Sequence, residues 1–168
     1  MATERDFAPA DWQRIEAAPF MAGLAVTYAD LSSKVGIASE ANATGKAIKA
    51  GASSSSEIVR TLAARFAAGE RPAIPAIPKE PPAALDALVA GCKTAAALVA
   101  AKAPGEAADY SRHLMDVATA TAGAAREGGF IGVGFYKVSD AEQQALSALA
   151  LALGFALEGT AETRTQNP

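Results

Sequence analysis

Residues 82–99 read PAALDALVAGCKTAAALV, and their apolar side chains recur every three or four positions. This spacing predicts one apolar stripe along an α-helix, formed by Leu85, Leu88, Val89, Cys92, Ala96 and Val99. Pro104 and Gly105 end the helix, because proline lacks the amide donor that a further turn needs. The stretch therefore predicts a helix that buries one side against other helices.

The composition of the whole chain also favours helices. The 168 residues are 51% hydrophobic, 20% charged and only 6% aromatic. Alanine loses no side-chain entropy in a helix, whereas strands favour β-branched and aromatic residues. The composition excludes a disordered chain and predicts an all-α bundle of about five to seven helices.

Prolines divide this bundle. The segment of residues 71–82 contains five of them, Pro72, Pro75, Pro78, Pro81 and Pro82. Such spacing predicts an extended connector, either a semi-rigid strap between helices, the more common role, or a proline-motif ligand for a partner domain. We predict one domain over 1–158, with halves at about 9–69 and 83–154, a connector at 70–82 and a flexible tail at 159–168. Pro19 is expected to interrupt or restart the first helix.

The charge and the cysteine content argue against nucleic-acid binding and against a reactive thiol. The net charge of −3 comes without a basic run, so we expect no nucleic-acid partner. The single cysteine, Cys92, cannot form an intramolecular disulfide and is interpreted as a small buried hydrophobe rather than a reactive thiol.

The N-terminal residues do not have the pattern of a targeting signal, because they carry the charges of Glu4, Arg5, Asp6 and Asp11. The uncharged apolar segments 17–29 and 145–157 are shorter than the roughly 20 residues of a membrane-spanning helix. We therefore expect a cytoplasmic protein with no membrane span.

The two halves share a pattern of helix, acidic turn and helix. The first half passes from Ala29 and Asp30 through a loop with Gly36 to a helix start at Ser39 and Glu40. The second passes from Arg126 and Glu127 through a glycine-rich loop to Ser139, Asp140 and Glu142, where Ser139 and Glu142 predict a capping box. The pattern predicts two repeated helical hairpins that cover each other's apolar faces.

This arrangement resembles the tellurite-resistance TerB-like family of helical proteins. The resemblance lies in the acidic end of one helix, a glycine-containing turn and an acidic start to the next helix, and it covers the two hairpins. It implies an acidic surface that binds metal, with candidate ligands Asp30, Glu40, Glu127, Asp140 and Glu142. Independently, these acids would form an oxygen-rich site for calcium or magnesium if the two turns meet. Alternatively, Asp140 and Glu142 are first-turn charges that favour the helix dipole.

The segment of residues 128–137, GGFIGVGFYK, is the least ordinary part of the chain. Its backbone amides, near the helix start at Ser139, predict a pocket for a small anionic ligand such as a phosphate or carboxylate. The more common alternative is a buried loop between helices, and a third is an apolar patch for a protein partner or a second subunit. The candidate binding residues are Gly129, Phe130, Gly132, Gly134, Phe135, Tyr136 and Ser139.

The only histidine, His113, shares a helical face with Glu106, Asp109 and Asp116. This face predicts either a divalent-ion site or, more commonly, a solvated polar surface. The leading hypothesis is a bacterial-type helical binding or interaction protein with its functional surface at 128–138. The alternatives are an acidic-site divalent metal-binding protein of TerB-like type and an enzyme with a small-molecule pocket beside the loop. The enzyme alternative lacks a recognisable nucleophile and base.

Overall fold

The computed structural model describes residues 2–29, 36–124 and 139–155. This part of the chain forms six α-helices and no strand, which confirms the prediction of an all-α bundle. The helices are α1 (Pro9–Ala29), α2 (Gly36–Ala50), α3 (Glu57–Ala67), α4 (Pro81–Lys102), α5 (Ala107–Ala124) and α6 (Asp140–Ala152). Short 3-10 turns lie at Glu4–Asp6, Gly51–Ser53 and Pro104–Glu106.

Helix α1 lies at the centre of the bundle. It packs chiefly against α4 and α5 and also contacts α2 and α6, while α2 packs against α5 and α3. One apolar core extends through both halves of the chain and includes Ile15, Ile58, Leu88, Leu114 and Leu149. The proline-rich connector lies against this core through Ile74 and Ile77, as a strap between helices would.

Pro19 does not interrupt the first helix. Helix α1 is continuous from Pro9 to Ala29, with Pro19 inside it and buried. A proline at position 19 cannot donate the usual hydrogen bond to the carbonyl four residues earlier, which belongs to Ile15. The buried Tyr110 hydroxyl of α5 donates to this carbonyl instead, at 2.8 Å. The prediction of a break was wrong because a residue from another helix supplies the missing donor.

Of the two helix starts predicted for the repeated hairpins, one is confirmed and the other lies elsewhere in the sequence. Ser139 and Glu142 form the predicted capping box at the start of α6: the Ser139 hydroxyl accepts from the Glu142 amide at 3.2 Å, and the Glu142 carboxylate accepts from the Ser139 amide at 2.8 Å. Helix α2 begins at Gly36, so Ser39 lies inside its first turn rather than before it. The turns at 30–35 and 125–138 lie outside the described residues, and the repeat stays a prediction.

Among the described residues, α4 is the one helix long and apolar enough to cross a bilayer by length and composition. The sequence prediction did not consider this segment. Core helices meet the same test, but they are mostly buried, whereas 28% of the apolar window of α4 is buried. The buried residues of α4 include Leu88, Cys92 and Val99, and the helix packs against α1. The absence of a membrane span stays a prediction.

Glu106 joins three parts of the chain. Its carboxylate accepts hydrogen bonds from the Ser56 hydroxyl at 2.8 Å and the Ile58 amide at 3.0 Å, at the N-terminus of α3, and from the Ala2 amide at 2.6 Å. Burial alone would raise the pKa of the Glu106 carboxyl, but these hydrogen bonds outweigh it and hold the pKa below its usual value. Glu106 therefore caps α3 and does not belong to the polar face predicted around His113.

We expect Glu106→Gln to lower the free energy of unfolding by about 1–3 kcal/mol at pH 7, because the amide leaves one of these donors without a good acceptor. Because the pKa of Glu106 is lower in the folded protein, its ionised carboxylate stabilises the fold fully at pH values above the unfolded pKa of about 4.3. This stabilisation is lost as the pH falls through the folded-state pKa. Urea unfolding at pH 7 and at pH 3.5 measures the free energy of unfolding of both proteins. The difference in this free energy between wild type and Glu106→Gln should therefore be smaller at pH 3.5.

Glu80→Gln is the matched control. Glu80 precedes α4 as its N-cap residue, is exposed and makes no side-chain capping bond. We expect this variant to change stability by less than about 0.5 kcal/mol. Equal losses in the two variants, or a Glu106→Gln loss that does not depend on pH, would contradict the role assigned to Glu106.

Candidate functional site

Most of the predicted loop site lies outside the described residues. This applies to Gly129, Phe130, Gly132, Gly134, Phe135 and Tyr136. Ser139 is described, and its hydroxyl and amide are both used in the capping box of α6. Asp140 and Glu142 already place two carboxylates in the first turn of this helix, which disfavours a further anion there.

The predicted acidic site is described only in part, because Asp30 and Glu127 also lie outside the described residues. Asp140 is exposed, and Glu142 is buried in the capping box. Glu40 of α2 is only 4% exposed, and its Oε2 atom has no hydrogen-bond partner in the described part of the chain. Within that part, no group of three or more histidine, cysteine or acidic side chains is placed to hold a metal ion. The five-carboxylate site stays a prediction.

A groove of about 1090 Å³ is lined by α2, by α5 and by the turn between α2 and α3. Its polar lining comes from three segments: Ser39, Asn42 and Lys46 of α2, Ser53, Ser54 and Ser55 of the turn, and Asp109, Arg112, His113 and Asp116 of α5. Asp109, His113 and Asp116 of the predicted α5 face line the groove, whereas Glu106 does not and Arg112 was not predicted. The contributions of α2 and of the serine run were not predicted either.

The position of α2 depends on a close approach to α1. A Cβ atom placed on Gly23 would lie 2.6 Å from the Thr44 hydroxyl oxygen, so only glycine allows this contact. Thr44 in turn shares a hydrogen bond of 2.7 Å with the hydroxyl of Thr121 on α5. These contacts hold α2 against α1 and α5, and they place Lys46 and Asp116 beside the same groove.

His113 is buried in the floor of the groove, which corrects the interpretation of its face as a solvated surface. The residue is 6% exposed, and Nε2 has no hydrogen-bond partner in the described residues. The ring packs against Gly51, where a Cβ atom would lie 2.9 Å from Cε1 of His113 and 2.8 Å from a methyl carbon of Val59. Burial lowers the pKa of His113, and the nearby Asp116 carboxylate opposes this shift. The imidazole is therefore neutral at pH 7.

Some charged side chains along the groove form ion pairs with described residues, and others do not. The Asp109 carboxylate accepts a hydrogen bond from the Ser55 hydroxyl and lies 3.5 Å from the Arg112 guanidinium. Lys46 and Asp116 are exposed, and none of the ion pairs between described residues involves either of them. Among the described residues that line the groove, Lys46 on α2 and Asp116 on α5 are thus the charged groups without an ion pair.

The described groove residues do not form a nucleophile and base pair. His113 makes no hydrogen bond to Ser53, Ser54 or Ser55, and Ser55 bonds to Asp109 instead. Cys92 lies elsewhere, buried between α4 and α1, with Sγ 3.5 Å from the Ala18 carbonyl. Burial raises its pKa to about 12, so the thiol stays protonated. This confirms the prediction that Cys92 is a small buried hydrophobe.

Comparisons with protein-family models, with curated proteins and with solved structures give no match to this chain. The resemblance to the TerB-like family stays a prediction, and the functional argument depends on the groove itself.

Proposed function

We propose that this chain is a binding protein that takes a small polar molecule into the groove between α2 and α5. The observation that carries the proposal is the groove of about 1090 Å³, lined by side chains of both charges around a buried imidazole. Sites for small molecules commonly have volumes of about 300–1,000 Å³ and a few polar groups that orient the ligand. The size and lining of the groove support this class of ligand.

The proposal keeps the binding function predicted from sequence but moves its support to other residues. The sequence prediction placed the functional surface at 128–138, which lies outside the described residues. Ala124, the last described residue before this loop, lines the groove. The proposal therefore depends on the described groove residues alone.

Binding is favoured over catalysis because the described groove residues lack an assembled nucleophile and base. A buried imidazole without a hydroxyl partner cannot activate a serine in this arrangement. The same imidazole provides a rigid, uncharged surface beside the ligand, because the ring is held against Gly51 and Val59 and its Nε2 atom is covered.

Ala120→Trp tests the proposal. Ala120 lines the groove and is exposed, so an indole there should obstruct part of the groove without entering the core. The probes are acetate, ethylamine, alanine, glucose and adenosine at millimolar concentration, with binding detected by saturation-transfer NMR. We expect at least one probe to bind the wild type and to lose most of its saturation transfer with Ala120→Trp.

Ala97→Trp is the control, because Ala97 is exposed on α4 and does not line the groove. This variant should bind the same probes as the wild type, and circular dichroism should show equal helix content in all three proteins. Absence of binding by every probe, or binding that Ala120→Trp leaves unchanged, would contradict the proposed function.

A divalent cation at Glu40 is a second candidate, in line with the TerB-like resemblance. The buried Oε2 atom of Glu40 favours this candidate, because it has no hydrogen-bond partner among the described residues. Burying a carboxylate oxygen without a partner costs free energy, and a bound cation would act as its partner. Thermal unfolding with calcium, magnesium, manganese or zinc tests it. A cation at a hundred times its dissociation constant should add about 2.7 kcal/mol of stability, and an unchanged melting temperature with every ion would contradict it.

A further inference from the structure

The two walls of the groove have unpaired charges of opposite sign. Lys46 lies on the α2 wall and Asp116 on the α5 wall, and both are exposed. Neither takes part in an ion pair between described residues. A ligand with a single charge would be attracted to one wall and repelled by the other.

The other charged groups near the groove already have partners. Asp109 is held by Ser55 and Arg112. The N-terminus of α3, which would otherwise attract an anion, is satisfied by the Glu106 carboxylate at the Ile58 amide and by the Ser56 hydroxyl at the Val59 amide. In the described lining, Lys46 and Asp116 are therefore the charged groups without an ion pair, while Arg112 keeps its contact with Asp109 at 3.5 Å.

The floor between these walls is polar and neutral. His113 is 6% exposed, its Nε2 has no hydrogen-bond partner among the described residues, and it lines the same groove. The Nε2 atom itself is covered and lies beside Gly51, so the ring contributes an uncharged surface to the groove rather than a hydrogen bond to a ligand. The groove thus presents a cation, an uncharged floor and an anion.

We propose that the groove binds a dipolar organic molecule, whose carboxylate lies at Lys46 and whose ammonium group lies at Asp116, across the neutral floor formed by His113. The inference rests on the proposed function of the groove and names its ligand class. A short peptide with free ends has this chemistry. In a dipeptide the two charges are separated by about 7 Å of extended backbone, with an amide between them.

Alanylalanine with free ends is the probe, compared with its N-acetyl form, which lacks the ammonium group, and its C-terminal amide, which lacks the carboxylate. Isothermal titration calorimetry measures the dissociation constant of each form. We expect both blocked forms to bind wild type about fivefold more weakly than the free dipeptide, since each loses one exposed charge pair worth up to about 1 kcal/mol.

Two variants assign the charges to the walls. Lys46→Met should bind the free dipeptide and its amide equally but still prefer the free form over the N-acetyl form. Asp116→Asn should show the opposite pattern, with the preference for a free ammonium group lost. The controls are Lys49→Met, on α2 but outside the groove, and Asp86→Asn, exposed on α4. Both should keep the wild-type order of the three forms.

The proposal is overturned if the free dipeptide does not bind, if the blocked forms bind as tightly as the free form, or if each groove variant weakens all three forms equally. These results differ from a failure of the proposed function. If glucose or adenosine binds and Ala120→Trp abolishes the binding, the groove is a site but its ligand is not dipolar. If no probe of either experiment binds, both proposals fail.

Discussion

The hydrogen bond from the Tyr110 hydroxyl to the Ile15 carbonyl is the interaction on which the bundle depends. Pro19 lies in the middle of the central helix, where it removes the donor that this carbonyl would otherwise have. Both groups are buried, and a buried carbonyl without a partner is costly. Tyr110 supplies the donor at 2.8 Å from a position 95 residues later in the chain. The bond satisfies α1 and fixes the rotation and height of α5 against it.

The groove follows from this placement of α5. With Tyr110 directed towards α1, His113 lies one turn further along α5 and faces the Gly51–Ser53 turn. Thr121, two turns beyond His113, meets Thr44 of α2, which itself sits against Gly23 of α1. The three helices are thus joined by the Tyr110 hydrogen bond to α1, by the Thr44–Thr121 hydrogen bond and by the close approach of Thr44 to Gly23. Much of the lining of the groove along α2 and α5 is alanine, serine and glycine.

Features that depend only on residues close together in the chain could be predicted from the sequence. The stripe from Leu85 to Val99, the capping box at Ser139 and Glu142 and the burial of Cys92 follow from local spacing, and the structure confirms them. The break at Pro19 was predicted from the same local reasoning and was wrong, because its compensation comes from a distant helix.

In the candidate site, too, contacts between residues that are distant in sequence could not be predicted from local spacing. The shared face of Asp109, His113 and Asp116 was visible as helical spacing, but the burial of His113 depends on Gly51 and Val59, which spacing along α5 cannot reveal. Glu106 does not share that face, because its carboxylate accepts hydrogen bonds from the Ile58 amide, the Ser56 hydroxyl and the Ala2 amide, which are distant in sequence. Gly51, two residues before the serine run at 53–56, was the available signal for a close approach.

The most direct test of this account is a double-mutant cycle of Tyr110→Phe and Pro19→Ala, with the free energy of unfolding measured in urea. In wild type, Tyr110→Phe should cost about 1–3 kcal/mol, because the Ile15 carbonyl becomes buried without a donor. In the Pro19→Ala background the cost should be smaller by at least about 0.5 kcal/mol, because the alanine amide can restore the bond within α1. An equal cost in both backgrounds would show that Tyr110 does not compensate for Pro19, and would contradict the account.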